Sequence, residues 1–583
     1  MTVIAQETNP ARTRPVIDWA AWAQVRKQLA ASASAFSATA RNSRLLRAQL
    51  AFTATWTAET ALTVAIAVVA FRDGGAAAVG LVAFVRLAPS AVVASFGTAF
   101  ADRFQRDRLL IWTSLIRAAA IAAAACVLAA SGPHVAVYTL AVIATAAYRL
   151  FRPAHMALLP GLCSTPLELR SANTVGGLLD SVATLLGPIA AALLLGISGP
   201  AAVLVACAVL ALAAAVPLIG LAYEAPPRGR PQPLRRIAHE TVEGFQALVR
   251  YREAGLLVGL GLVQSLTQGF FNVFVVVIAL DLLGMGPAGV GVLAAVAGAG
   301  SVLGSLGTSM VATGRQLAIL EAVGVVLWGL PLTLTGVLQH EPVVLGLMLL
   351  IGFANALGNV GLHALPARLV PEELLGRVFG VKACLTGLSI AVGAFVTPFA
   401  INLLGIRGAL VVLGLVAPVL AVVVWQRVYA IHAGIAHRDQ EIEVLTGVEM
   451  FRPLPLPAID NLAVHVADVQ VAAGQAVFRQ GDNGDRFYVI EDGEVDVIGD
   501  NRLIRTMRAG DGFGEMALLH DEPRVATACA RTPLRLRALD RRHFLSAVNG
   551  YASSKREANA LVLNRLADVA PCSEPTAIAA CNC

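Results

Sequence analysis

Apolar residues run through most of this chain in blocks of twenty or more, parted by short polar stretches, and that rhythm stops near residue 430. Twelve blocks are legible, at roughly 48–71, 76–101, 109–131, 135–152, 172–196, 199–222, 255–281, 287–311, 317–337, 342–364, 377–403 and 406–428. A helix of about 20 apolar residues spans the hydrocarbon of a bilayer, so the pattern predicts twelve transmembrane helices. Ala, Gly, Leu and Val dominate them, and pairs such as Gly300-x-x-x-Gly304 allow close helix approach. From 464 to 540 the period changes. Short alternating segments such as Phe487–Ile490 and Val495–Ile498, separated by Gly, Asp and Asn, predict a small antiparallel barrel or jelly roll. A short helix is expected over His437–Leu445 and a final one over 552–567, with Pro453, Pro455 and Pro457 as punctuation.

Composition supports a membrane protein. The 583 residues are 57% hydrophobic and 14% charged, with mean hydropathy +0.71, against about 25% charged in soluble domains. The net charge of +6 does not imply nucleic acid, because the basic residues sit between apolar runs. One set of loops holds Arg103, Arg106, Arg108, Arg152, Arg170, Arg228, Arg230, Arg235, Arg236, Arg315, Arg368 and Arg377; the alternate loops hold little beyond Arg72 and Arg407. The positive-inside rule makes the first set cytoplasmic and, with an even helix count, both termini too. No signal-peptide core stands in 1–43, and Asp18–Leu29 reads as a surface helix or a disordered leader. Cys126, Cys163, Cys207 and Cys384 sit in or beside apolar runs as small hydrophobes; Cys572, Cys581 and Cys583 lie in a polar tail with no CxxC pair.

The two halves of the apolar region echo each other. Leu159-Pro160, Arg170 and Gly187-Pro188 in the first correspond to Leu365-Pro366, Arg377 and Thr397-Pro398 in the second, with a Pro- and Arg-rich loop at 223–254 between them. Six plus six helices about a long central loop resemble the major facilitator superfamily. The loop Ala101-Asp102-Arg103-Phe104-Gln105-Arg106-Asp107-Arg108 resembles that family's G-x-L-A-D-R-x-G-R-R signature, with Thr98 and Gln105 in place of two glycines. The block Arg149–Pro160, then Ala172-Asn173 and Gly187-Pro188, resembles its drug- and siderophore-exporter branch. The resemblance implies a cytoplasmic gate of Asp102, Arg103, Arg149 and Arg377, in which Asp102 meets the N-terminal end of the eleventh helix. Topology and solvation alone would also account for those charges.

Charges within spans are costly and usually face a cavity or a partner. Glu59, Arg86, Arg117 and Asp180 qualify. Glu59 is a candidate proton- or cation-coupling acid; otherwise it forms a structural ion pair, for which Arg86 is the expected partner. Arg117 and Asp180 read as structural. Gln264, Gln268 and Asn272 recur every four residues on the seventh helix, as Asn355, Asn359 and His363 do on the tenth. Each trio shares a helix face, to bond between helices or to line a substrate path.

The stretch Gly512–Thr527 carries the most specific chemistry. With Gly474, Gln480-Gly481-Asp482, Gly484-Asp485 and Gly493 upstream, it resembles the phosphate-binding cassette of cyclic-nucleotide-binding domains. The resemblance implies that Glu515 accepts the ribose 2′-hydroxyl and Arg524 pairs with the phosphate. Met516 and Ala517 would offer backbone N–H groups, Gly514 a close backbone approach, and Ala526 and Thr527 the phosphate wall. Relatives that prefer cGMP often carry a hydroxyl residue after that arginine; Val525 here favours cAMP over cGMP. The C-terminal helix around Leu561–Leu566 would cover the base.

The expected organisation is a leader at 1–43, a six-helix half at 44–222, a central loop at 223–254, a second half at 255–430, a helical connector at 431–460, the nucleotide domain at 461–568 and a tail at 569–583. The expected fold is an α-helical membrane protein of twelve helices with a small α+β cyclic-nucleotide-binding β-roll. The sequence shows no P-loop, metal cluster or nucleophile constellation, so no enzyme, metal or cofactor is expected. The expected function is a secondary transporter in the plasma or inner membrane, a proton-coupled exporter of a lipophilic or amphiphilic small molecule, regulated by cytoplasmic cAMP. The alternatives are a cyclic-nucleotide-responsive sensor or scaffold without transport, and a gated channel, which the missing TVGYG filter and the internal repeat oppose.

Overall fold

A computed structural model of the chain describes residues 36–37, 39–163, 165–221, 234–311 and 317–569. It divides into two compact units, Met1–Ile431 and His432–Cys583. The Asp18–Leu29 stretch, Arg228, Arg230, Arg315 and the tail cysteines lie outside the described residues, as do the side chains of Asp102, Arg103, Asn359 and His363.

The first unit is helical. In chain order it comprises α1 (Ser43–Arg103), α2 (Arg106–Ala129), α3 (His134–Leu162), α4 (Pro166–Ile197), α5 (Pro200–Ala215), α6 (Leu234–Arg250), α7 (Arg252–Val277), α8 (Gly286–Val311), α9 (Leu317–Val337), α10 (Glu341–Leu369) and α11 (Glu372–Gly447). A π-helical turn, Ile278–Leu282, follows α7. Among the described residues, ten helices are long and apolar enough to cross a membrane. The twelve predicted blocks become ten because α1 and α11 each absorb two of them. The breaks survive as glycines with positive φ: Gly75 at 60° in α1 and Gly405 at 70° in α11. The first break folds the chain back on itself. Arg86 Nη2 donates to Thr63 Oγ1 at 2.8 Å across 23 residues, which a straight helix would hold about 34 Å apart.

Two further expectations need correction. The central loop is helical over α6, where apolar and polar residues segregate to opposite faces and both Arg235 and Arg236 fall within the helix. The separate helix expected over His437–Leu445 is instead the end of α11.

Small side chains allow the membrane helices to pack closely. A Cβ on Gly304 would stand 2.7 Å from Phe353 O of α10, and one on Gly300 would collide with Leu349 O. These contacts place the Gly300-x-x-x-Gly304 face against α10. The core runs from Ala58 and Leu62 through Val137 and Ala144 to Phe274, Leu293 and Trp328. Cys126, Cys163, Cys207 and Cys384 are unpaired.

The second unit begins at the end of α11. A short helix α12 (Leu456–Val464) precedes eight strands, β1 (Ala467–Val471), β2 (Ala476–Phe478), β3 (Arg486–Asp492), β4 (Val495–Gly499), β5 (Arg502–Met507), β6 (Gly512–Phe513), β7 (Thr527–Ala530) and β8 (Leu534–Asp540). Helix α13 (Glu515–His520) lies between β6 and β7, and α14 (Arg541–Gly550) and α15 (Ala552–Val569) end the unit. Two four-stranded antiparallel sheets, β1-β8-β3-β6 and β2-β7-β4-β5, form the β-roll. Alternation sends Tyr488, Ile490, Val495, Phe513 and Leu536 into one core. A second core gathers the helices around Phe451, Phe487 and Phe544, with Phe487 and Phe544 stacked at 4.7 Å. Buried Arg537 of β8 ties the end of α11 to the sheet: its Nη1 lies 2.8 Å from Glu441 and its Nε 3.1 Å from Glu491, with Asp468 also paired.

Candidate nucleotide site and buried charges

The turn at Gly514 organises the nucleotide cassette. Gly514 has φ 92° and caps α13, and a Cβ there would stand 2.6 Å from Arg524 Nη1. Left-handed backbone disfavours side chains, so glycine both makes the turn and clears space for the guanidinium. Arg524 is held from two directions. Its own backbone pairs with that of the 480s turn, with Gly481 N–H donating to Arg524 O at 2.8 Å and Arg524 N–H to Asp482 O at 2.7 Å. Its guanidinium donates to Gly514 O at 2.8 Å and Arg486 O at 2.7 Å, and reaches Asp485 at 3.4 Å.

Phe478 and Tyr488 cover the guanidinium, with ring centroids 4.1 and 6.0 Å away. Burial lowers the Arg524 pKa from its ordinary value, and Tyr488 and Asp485 partly offset that. A guanidinium keeps its proton in such a site, so Arg524 is a poorly solvated cation whose Nε has no hydrogen-bond partner among the described residues. Burial in turn raises the Tyr488 phenol above its usual range.

A cleft with about 650 Å³ of empty space, part of it open to solvent, lies in front of these groups. Gly514, Glu515, Met516, Ala517, Arg524, Val525 and Ala526 line it. Glu515 is 1% exposed, whereas Val525 is 43% exposed. Thr527 does not line the cavity; its Oγ1 accepts from Gln480 N–H at 3.0 Å. Sequence reasoning missed the other lining residues Phe478, Val497, Ile504, Arg505, Met507 and Phe513. Those residues arrive from four strands, and only the sheet order brings them to one cavity. Among the described residues, none of α15 lines the cavity. Leu563 is exposed there, while Ala558 and Val562 are buried.

In the membrane unit the buried charges regroup. Glu59 pairs with Arg117 at 2.9 Å, not with Arg86, and both are almost fully buried. Thr145 Oγ1 reaches the other Glu59 oxygen at 3.4 Å, Arg117 also donates to Thr55 O at 3.1 Å, and its guanidinium lies 5.2 Å from the Tyr148 ring. The expected partner was wrong because the turn at Gly75 brings Arg86 alongside Thr63 while α2 presents Arg117 to the carboxylate. Asp180 stands 3.7 Å from Arg152, which lies over Trp56 at 5.9 Å. Arg377 pairs with Glu243 of α6 at 2.6 Å, so a helix absent from the gate expectation supplies its described partner.

Of the polar stripes, Gln264 is 5% exposed and its amide packs against Gly358 of α10, while Gln268, Asn272 and Asn355 are half-buried. Two buried charges escaped the sequence reading, Glu321 of α9 and Lys382 of α11. Both stand as single charges inside apolar runs, the signal that exposed Glu59 and Arg86.

Comparison with known proteins follows the same division. The profile of the Major Facilitator Superfamily matches residues 50–381, and that of the cyclic nucleotide-binding domain matches 468–551. A cAMP-dependent protein kinase regulatory subunit of Eremothecium gossypii is 49% identical over 74 residues, covering 13% of this chain and 16% of that protein. An uncharacterized protein of Mycobacterium tuberculosis is 38% identical over 117 residues, 19% of this chain and 23% of the other. The chain thus spans less than a quarter of the length of these relatives. Among solved structures, the regulatory domain of Toxoplasma gondii PKA with cAMP matches at 28% identity and TM-score 0.20, covering 20% of this chain and 47% of that one. The helical region at 50–381 and the β-roll at 468–551 account for most of the described chain, which belongs to the Major Facilitator Superfamily and carries a C-terminal cyclic nucleotide-binding domain.

Proposed function

We propose that the protein is a secondary active transporter whose cycle is set by cytoplasmic cAMP. The observation that carries the regulatory half is Arg524, a desolvated cation fixed at the wall of an open cavity opposite buried Glu515. A cyclic monophosphate offers one negative charge to the first and a ribose hydroxyl to the second. Gly514, Met516, Ala517 and Ala526 form the surface beside them, and Thr527 acts behind it through Gln480. Val525 next to Arg524 favours cAMP over cGMP. The domain limits given above are our working division, with the breaks at Gly75 and Gly405 each read as separating two membrane passages, twelve in all.

The transport half rests on family membership and on charges held within the helices. Export, proton coupling through Glu59 and a plasma- or inner-membrane location with both termini cytoplasmic belong to this reading. In it the Arg117 pair holds Glu59 until a proton or substrate displaces it. Gln264, Gln268, Asn272, Asn355 and Asn359 contribute to the substrate path, and Asp102, Arg103, Arg149 and Arg377 to the cytoplasmic gate. Nucleotide draws α15 toward the β-roll, and the Glu441–Arg537 pair passes that motion to α11. Coupling of this kind is typically about 1–3 kcal/mol.

The full chain in proteoliposomes tests the proposal. Proton-gradient-driven flux that changes about fivefold or more with cAMP on the cytoplasmic face is expected. Flux indifferent to cAMP would remove the regulatory half. Nucleotide binding without any flux would favour the sensor reading.

A further inference from the structure

Helix α6 has more apolar surface than its neighbours cover. Over 241–250 it carries Val242, Phe245, Leu248 and Val249, a spacing that sets them along one side of the helix. One edge of that stripe is used. Leu248 is buried, and so is Gly244, where a Cβ would stand 2.5 Å from Arg377 O and 2.8 Å from Val381 Cγ2 of α11. Glu243 adds its 2.6 Å pair with Arg377. The other edge is bare: Val242 and Phe245 are 55% exposed and Val249 is 64% exposed. Among the described residues, α6 is not one of the helices long and apolar enough to cross a membrane, so crossing does not account for the exposure.

The position of α6 identifies what covers the bare edge. Only Tyr251 separates it from α7, which is long and apolar enough to cross a membrane. The corner between them is tight. Tyr251 N–H donates to Ala247 O at 2.8 Å and Gly255 N–H to Tyr251 O at 2.9 Å, and a Cβ on Gly255 would collide with Leu248 O. The C-terminal end of α6 is thereby held at the level where α7 enters lipid. Arg250 and Arg252 stand at the same corner, both exposed and without an ion-pair partner among the described residues, with Glu253 as the exposed acid beside them. An apolar edge flanked by cations at the bilayer surface suits an interfacial helix, whose apolar side enters the boundary between headgroups and acyl chains. Arginines there attract anionic lipid and reach its phosphates with their long side chains. We infer that α6 docks on anionic lipid, with Val242, Phe245 and Val249 in the acyl boundary and Arg250 and Arg252 on the phosphates. Through Glu243 and Gly244 the same helix ties the start of α11 to the bilayer surface. The inference needs α7 to cross the bilayer and nothing from the transport or nucleotide readings.

The test uses the full chain in nanodiscs of phosphatidylcholine and phosphatidylglycerol. Phe245→Trp adds one indole to the six native tryptophans, and its fluorescence is read as the difference from the unaltered protein. Val249→Trp is a second position in case the first variant fails to fold. Lipid brominated near the headgroup end of its acyl chains should quench the added indole, and dissolved acrylamide should not. Quenching by acrylamide alone would place the edge in water, and quenching by neither would place it against protein, from this chain or another; either result overturns the docking. The charge half is read at the same indole. Brominated phosphatidylglycerol, as a minor lipid, should quench as though enriched roughly fivefold or more over brominated phosphatidylcholine at the same fraction. Arg250→Gln with Arg252→Gln should erase that difference. Equal quenching by the two lipids before the arginines are changed, or an unchanged preference afterwards, overturns the assignment to anionic lipid.

Discussion

Of the four arginines buried among the described residues, Arg524 in the β-roll and Arg86 in the membrane unit differ most in what surrounds them. Arg524 has two backbone carbonyls, a carboxylate, two aromatic rings and a cavity before it. Arg86 has one threonine hydroxyl, with Glu59, Arg149 and Arg117 near enough to act on it electrostatically. In the first, two carbonyls fix the fork. The second has one fixed side-chain acceptor, the Thr63 hydroxyl. The contrast follows from the surroundings. A water-facing domain can hold a cation with its own backbone turns, whereas helices in lipid satisfy their carbonyls internally and leave side chains as the available partners.

The largest effect that sharpens this contrast lies beside Arg86. Glu59→Gln strands Arg117, and a broken buried pair costs about 3–5 kcal/mol, read as a fall in the melting temperature of the full chain in nanodiscs. Glu59→Gln with Arg117→Gln should cost less than Glu59→Gln alone; an equal or greater loss would show that the two residues do not act as a pair.

Next is Arg524→Ala. It removes charge-assisted bonds of about 1.5–3 kcal/mol each, so cAMP affinity measured by calorimetry on the full chain should fall about a hundredfold or more. Retained affinity would mean that Arg524 serves the turn and not the ligand. Gly514→Ala is smaller. A left-handed residue with a side chain costs about 1–2 kcal/mol, and its Cβ would crowd Arg524 Nη1, so roughly tenfold weaker binding is expected with the β-roll still folded. A Gly514→Ala protein that binds normally would show that the guanidinium has room to move.

The smallest effect is expected from Val525→Thr. A gained neutral hydrogen bond is worth about 1 kcal/mol, enough to narrow the preference for cAMP over cGMP severalfold in competition binding. An unchanged ratio would place selectivity elsewhere in the lining, at Val497, Ile504 or Met507.

The cassette was legible because its function depends on contiguous chain. Gly514, Glu515 and Arg524 lie within a dozen residues, and a tight turn followed by a short helix fixes their relation locally. The rest of the lining was not legible, since Phe478, Val497 and Met507 converge only through the order β2-β7-β4-β5. In the membrane unit, apolar run length foretold the helices, and the gaps between runs at 71–76 and 403–406 their interruptions. The helicity of α6 went unread behind its Pro- and Arg-rich approach, although its 3.6-residue segregation of apolar and polar positions was present.

The sequence by itself determined which segments form long apolar helices, where the composition turns to that of the β-roll and which contiguous residues line its cleft beside Gly514 and Arg524. Each of these depends on local composition or on neighbours along the chain. Only the tertiary structure decided that Glu59 pairs with Arg117 and that Arg86 donates to Thr63. Charge partners in a bundle are chosen by helix rotation and by turns such as Gly75, and a choice between arginines 27 and 58 residues away leaves no local trace.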